Sequence, residues 1–358
     1  MRKFIHSAAA AVLTLGVAGA ALAAVRLQGA GATFPNPIYQ RWVSAFQKQR
    51  PDVRIDYQSI GSGGGIKGIL GKTVDFAGSD APMSAKEKAS AGAPIVHIPT
   101  VAGGMVPAIN LPAFQGELKL TGDVIAQIFM GRTTRWNDAK IAELNPGANL
   151  PNTAITPAWR TDGSGSTFVF TNYLATQSED FKSSVGTGKQ VEWPAGQGGK
   201  GTEGVAAIVQ QTPGAIGYVE LNYAAENKIP FASVKNKAGK FVKASPESVS
   251  AAGAGGAKKM STDSLVADVW DQEGDEAYPI AAYTYVIVYK DLGYLKDGGK
   301  AQGLVDFLSW ATTDGQQMAA EMGYAPLPDA VRAKVKDALG QLTFNGRPLR
   351  PAQAASAR

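Results

Sequence analysis

The chain has 358 residues, 35 basic against 30 acidic, a net charge of +5, two histidines and no cysteine. So even a balance, with no dense Lys/Arg block, argues against nucleic acid as a partner. The missing cysteines exclude disulfides and a lipid-modified N-terminus, and two histidines are too few for a zinc site or a histidine-assisted nucleophile unless one of them is central.

The first element is "MRKFIHSAAAAVLTLGVAGAALA", residues 1–23. Arg2 and Lys3, a short apolar run and Ala21-Leu22-Ala23 read as a cleaved secretory leader, with a mature start near Ala24. The run is short for a membrane span and no stop-transfer pattern follows, so no membrane insertion is expected. Losing Arg2 and Lys3 leaves a net charge of +3. The expected product is a soluble periplasmic monomer of two domains, because about 335 residues exceed one comfortable core. His6 leaves with the leader, and His97, within the apolar "PIVHIPTVAGG", reads as structural.

Strands and helices then alternate. "AVRLQGAG" reads as a strand, and "NPIYQRWVSAFQKQ" as an amphipathic helix with Tyr39, Trp42, Val43 and Phe46 at helical spacing. "DVRIDYQSI", the short helix of "GGGIKGILGK" and "TVDFAGSD" continue a β–loop–α–β rhythm, which predicts an α/β fold with mostly parallel strands. "IPTVAGGMVPAINLP" and "AYPIAAYTYVIVYK" are long β runs suited to two hinge crossings between two lobes. Between them lie helices in "TGDVIAQIFMG", capped by Thr121, and "NDAKIAELN". "AGKFVKASPESVSAAGAGGAKK" reads as surface loops and a polar helix, and "AQGLVDFLSWATTDGQQMAAEMG" as helical. The expected division is 24–101 plus 278–347 as lobe 1, 102–277 as lobe 2, and 348–358 as a loose tail.

Three turns share one grammar: strand, then glycine with a hydroxyl, then helix. They are "GAGATFP" with Thr33, "IGSGGGIKG" with Ser62, and "RTDGSGSTF" with Arg160, Gly163, Ser164, Gly165, Ser166 and Thr167. The first N–H groups of a helix lack partners and carry partial positive charge, glycines let the backbone curve around an anion, and arginine offers a planar fork. Capping alone explains any one turn, but three such turns at strand carboxyl ends fit one shared anion better. Gly63-x-Gly65-x-x-Gly68 fits a dinucleotide fingerprint only as a by-product of a glycine run. "GILGKT" fails as a P-loop because Ile66 stands where the first glycine belongs, and no G-x-S-x-G elbow occurs.

Asp80, in "VDFAGSDAPMS", is either a turn residue or a carboxylate facing the anion. In the second case the anion must bring a proton. Phosphate near neutral pH has one and sulfate has none, so an ionised Asp80 would reject sulfate by an unpaired, repulsive contact worth at least ~1–3 kcal/mol.

The segments "GAGATFPNPIYQRW", "YQSIGSGGGIKGI", "TVDFAGSDAPMS", "RTDGSGSTFVFTNYL", "VGTGKQVEWPAGQGGKGTEGVAAIVQQTPGAIGYVEL" and "GDEAYPI", in this order, closely resemble the periplasmic phosphate-binding proteins of high-affinity phosphate ABC transporters. The resemblance covers nearly all of the chain after the leader. It implies a two-lobed periplasmic-binding fold of type II, with two hinge crossings and a cleft that holds inorganic phosphate without metal or cofactor. It implies delivery to the membrane permease subunits of an ABC transporter. Position by position, it implies phosphate contacts from Thr33, Phe34 (through its N–H), Ser62, Asp80, Arg160, Ser164, Gly165 and Ser166, with Asp162 pairing with Arg160. Ser166 stands where the family commonly has threonine, and Trp159 where a basic residue often stands. "WPAGQGGKGTEG" and "GAIGYVE" read as surface turns without ligand contact, and the acidic "DQEGDEAY" as a solvated turn near the hinge. The competing functions are an exported phosphate-ester hydrolase, for which no nucleophile–base pair is evident, and a receptor for arsenate or sulfate, the latter opposed by Asp80.

Overall fold

The computed structural model describes residues 24–261 and 264–351, so the expected leader and residues 352–358 of the expected tail lie outside the described residues. The chain opens with β1 (Val25–Gly31), α1 (Asn36–Gln49), β2 (Val53–Ser59), α2 (Ser62–Leu70), β3 (Phe76–Ser79), α3 (Ala85–Ala91) and the fifteen-residue β4 (Ile95–Ile109). Helix α1 buries Ile38, Tyr39, Trp42, Val43 and Phe46, and places Pro37 in its first turn, where no helical N–H is lost. Burying such large side chains contributes roughly 1.5–3 kcal/mol each before entropy is counted. Strand β2 alternates, with Val53, Ile55 and Tyr57 buried and Arg54, Asp56 and Gln58 exposed.

The chain continues through β5 (Lys119–Leu120), α4 (Gly122–Phe129), α5 (Ala139–Leu144), β6 (Thr156–Arg160), α6 (Gly165–Gln177), α7 (Glu179–Ser184), β7 (Gln197–Gly199), α8 (Gly201–Gln211), β8 (Ala215–Glu220) and α9 (Leu221–Glu226). Then come β9 (Ser233–Lys235), β10 (Phe241–Val242) and α10 (Pro246–Ala257). It returns as β11 (Ala281–Tyr289), followed by α11 (Gly298–Ala311), α12 (Gln317–Glu321), α13 (Asp329–Gly340), β12 (Thr343–Phe344) and β13 (Arg347–Pro348).

The main sheet has the order β2-β1-β3-β11-β4-β8-β6-β7. Both flanks are parallel, as β–α–β connections require. The centre departs from the expected mostly parallel arrangement: β11 runs antiparallel to β3 and β4, and β4 antiparallel to β8. The physical reason is the double crossing, since a chain that leaves one lobe and comes back runs its two crossing strands in opposite directions. Ile95–Gly104 of β4 pair with β11, and Met105–Ile109 pair with β8, so one strand serves both lobes. The returning segment is tied to the same point, with Met105 N–H donating to Ile280 O (2.8 Å) and Tyr278 OH donating to Met105 O (2.9 Å).

Thr121 caps α4 through Val124 N–H, as its position suggested. Helix α10 is less polar in its packing than in its composition: Val249, Ala252, Gly253 and Gly256 are buried, because small residues let it approach its neighbours. The segment after β13 stays attached through Leu349 N–H to Leu342 O and Gln302 Nε2 to Arg350 O.

Candidate functional site

The three glycine–hydroxyl turns converge. At the end of β1, Gly31 has φ +145 and lies so close to Gly78 that an added Cβ would sit 2.0 Å from its carbonyl oxygen. Only glycine permits that approach, and it sets Thr33 and Phe34 at the entrance to α1. Phe34 packs its ring over Gly103 and against Tyr324 (5.3 Å), and Tyr324 OH donates to Phe34 O (2.7 Å). Ser62 begins α2, and its Oγ accepts from Asp80 N–H at 3.2 Å. An added Cβ on Gly165 would meet Ser62 Oγ at 2.4 Å and Asp80 Oδ2 at 2.6 Å. Turns from both lobes therefore touch at Gly165.

The α6 turn is stiff despite its composition. Ser164 caps the helix by accepting from Thr167 N–H (3.1 Å), and Ser164 N–H donates to Lys189 O (2.9 Å). Thr167 Oγ1 and Arg160 N–H both bond Tyr218 OH, at 2.7 and 3.0 Å. Phe170 stacks on Tyr218 (4.4 Å between centroids) and Phe168 meets Trp270 edge-on. Two buried aromatics, Phe170 and Tyr218, and two half-buried ones, Phe168 and Trp270, thus clamp a loop whose composition alone suggests a linker.

Arg160 is 3% exposed and forms a two-pronged pair with Asp162, Nε to Oδ1 at 2.8 Å and Nη2 to Oδ2 at 2.6 Å. Its free prong, Nη1, donates to Thr33 Oγ1 (3.0 Å) and Thr202 Oγ1 (3.3 Å). Burial alone would lower the Arg160 pKa, but the Asp162 pair raises it, so the guanidinium stays charged. Burial likewise pushes Asp162 up, and the pair with Arg160 and the Gly201 N–H (3.0 Å) bring it down below the usual carboxylate range.

Asp80 is 3% exposed, and its Oδ1 has no hydrogen-bond partner among the described residues. Burial raises its pKa to about 7, the Glu220 charge adds to the rise, and the Arg160 charge opposes it. Thr284 sits at a register shift in β11, where its own buried hydroxyl is also unpartnered. A buried acceptor without a donor is costly unless a ligand supplies the proton.

Of the expected contacts, Thr33, Ser62, Asp80, Arg160, Ser164, Gly165 and Ser166 all lie buried in this cluster with Phe34 beside it. The Ser166 hydroxyl, however, donates to Glu220 Oε1 at 2.6 Å. "GKGTEG" and "GAIGYVE" are not surface turns. Thr202 is buried at the start of α8, and Ala215–Glu220 is a fully buried strand, because β8 lies between β4 and β6. Thr202 was legible in principle, since Gly199-Lys200-Gly201-Thr202 repeats the grammar of the other turns. Glu220 was not, because nothing in composition predicts a second buried carboxylate beside an anion.

Other candidates are structural. His97 Nε2 accepts from Met83 N–H (3.0 Å), and burial, aided by Lys88, lowers its pKa to about 3. Trp159 donates to Ala195 O and stacks near Trp193. Asn236 holds the acidic turn through Gly274 O and Asp275 O, and Glu273 pairs with Lys237 (2.8 Å).

Two α/β lobes joined by two crossings, with buried hydroxyls, Arg160 and the Asp80 carboxylate gathered between them, have the arrangement of a two-lobed periplasmic binding protein. The family model described as "PBP superfamily domain" matches residues 18–314. The chain is 45% identical over 311 residues to the phosphate-binding protein PstS of Pasteurella multocida, covering 87% of this chain and 88% of that one. It is 43% identical over 326 residues to the phosphate-binding protein PstS of Haemophilus influenzae, covering 91% and 95%. The chain belongs to this family of phosphate-binding proteins. A crystal structure of a phosphate ABC transporter substrate-binding protein with bound phosphate from Clostridium perfringens shares the fold at TM-score 0.62 and 20% identity, over 85% of this chain and all of that one.

Proposed function

We infer that the protein is an extracytoplasmic receptor that closes on inorganic phosphate and delivers it to the permease of an ABC transporter. The observation that carries this reading is a charged, prepaired Arg160 beside a buried Asp80 oxygen without a donor. Thr33, Ser62, Ser164 and the N–H groups of Phe34, Gly165 and Ser166 supply the remaining donors, the Ser166 hydroxyl being committed to Glu220, and Asp80 accepts the ligand's proton. No metal or cofactor is needed, because guanidinium, helix N-terminus and hydroxyls neutralise the anion.

The lobe division at 101/102 and 277/278 is supported by the hand-over of β4 pairing between Gly104 and Met105 and by the return through Ile280. Export to the periplasm with cleavage before Ala24 is supported by the leader composition. Among the described residues no helix is long and apolar enough to cross a membrane. A hydrolase reading lacks chemistry: the single described histidine serves Met83, and among the described residues the only carboxylate hydrogen-bonded to a cleft hydroxyl is Glu220, itself buried.

Calorimetric titration with phosphate, arsenate and sulfate tests the reading. Tight one-site binding of phosphate with no sulfate heat is expected, with arsenate, alike in shape and protonation, binding as well. Sustained release of phosphate from phosphate esters would refute it.

A further inference from the structure

Thr33 and Thr202 meet across the cleft with their Oγ1 atoms 3.0 Å apart. Thr33 lies between β1 and α1 of one lobe, and Thr202 lies in the first turn of α8 of the other. Both are more than nine-tenths buried, and Arg160 Nη1 donates to each of them. A hydroxyl has one proton and two acceptor sites. Between two hydroxyls only one can donate, and the direction decides what the other presents to a ligand.

If Thr33 gave its proton to Thr202, it would turn only lone pairs toward an incoming anion, which is repulsive. If Thr202 gives its proton to Thr33, the Thr33 oxygen accepts from Thr202 and from Arg160 Nη1, and both its acceptor sites are filled. Its own proton is then left to point into the cleft. We propose that Thr202 is a positioning residue for phosphate, donating to Thr33 Oγ1 so that the Thr33 hydroxyl is held as a donor to the anion. The proposal rests on the phosphate-receptor reading. It also ties donor alignment to closure, because the two hydroxyls belong to opposite lobes and meet only when the cleft is shut.

The test is calorimetric phosphate affinity of the full protein for wild type, Thr202→Val, Thr202→Ala and Thr202→Ser, each repeated in a Thr33→Val background. Valine keeps the shape and removes the hydroxyl, alanine is a second hydroxyl-free variant, and serine restores the donor. Loss of one aligned hydrogen bond is expected to weaken binding by about five- to tenfold in the valine and alanine variants, with serine within about twofold of wild type. In the Thr33→Val background the Thr202 substitutions should add less than about twofold, since there is no rotor left to orient. Undiminished affinity in both hydroxyl-free variants overturns the proposal, and so does an equal loss with and without the Thr33 hydroxyl. A wild-type chain that takes up no phosphate fails earlier, at the receptor reading itself.

Discussion

In the proposed receptor, selectivity turns on Asp80. Ionised, it would face a bound anion with lone pairs, so that only a ligand carrying an O–H is accepted. An amide at this position can donate instead. Asp80→Asn should therefore let sulfate compete measurably for the phosphate site, while wild type shows none in the same competition titration. The burial that makes Asp80 selective also has a cost in the empty protein. Its folded pKa is about 7, above the ~3.9 of an unfolded aspartate, so the folded state binds the extra proton between those values. Its favourable contribution is complete below ~4 and is lost as pH rises through about 7. Without phosphate, wild type should lose stability relative to Asp80→Asn between about pH 4 and about pH 7 in denaturant titrations. Parallel stability curves for the two proteins would contradict this.

At the scale of elements, the proposed binding unit is the strand–glycine–hydroxyl–helix turn, and Gly165 shows why its glycine is there. It begins α6, where alanine would normally favour the helix by up to ~1 kcal/mol. Here a Cβ would stand 2.4 Å from Ser62 Oγ and 2.7 Å from Asp80 Cβ, both in the opposite lobe. Gly165→Ala should leave the melting temperature of the ligand-free protein unchanged or slightly higher and weaken phosphate binding at least tenfold, about 1.4 kcal/mol, because the lobes cannot shut. Calorimetry and thermal unfolding on the same sample check both halves. Periodicity and glycine placement made α1, α2, α4 and the three turns legible, because those signals are local. The antiparallel centre of the sheet, the burial of β8, and the cleft positions of Thr202 and Glu220 depend on which strands become neighbours. That is a non-local outcome: "GAIGYVE" has the glycine of a turn and the fate of a central strand. The turns of Thr33 and Ser62 could be picked out locally, and the turn of Thr202 carries the same grammar, but only the packing of α8 brings Thr202 to the same arginine.

For the whole molecule, closure is written into contacts that span the lobes. Gly63 N–H donates to Gly163 O at 2.8 Å, backbone to backbone. Lys189 Nζ reaches Glu87 Oε1 and Oε2 at 2.8 and 2.9 Å, and this pair is about three-quarters buried. Lys189 also accepts Ser164 N–H through its carbonyl, so one residue joins the α6 turn to the far lobe. Glu87 keeps other partners when the lysine is gone, because it accepts from Ser84 N–H and Ser84 Oγ in the α3 capping box. Burial would raise its pKa, but Lys189 and Ser84 together bring it down, so the carboxylate is charged wherever the receptor works. Opening the cleft must break this pair, and an ion pair of this exposure contributes on the order of 0.5–1 kcal/mol to the closed state. Lys189→Met should thus raise the phosphate dissociation rate by about two- to fivefold in stopped-flow measurements, with little change in association. Added salt should accelerate release from wild type and lose most of that effect in the variant, since screening acts on the missing charge pair. Equal salt sensitivity of the two proteins would show that the pair does not hold the lobes shut.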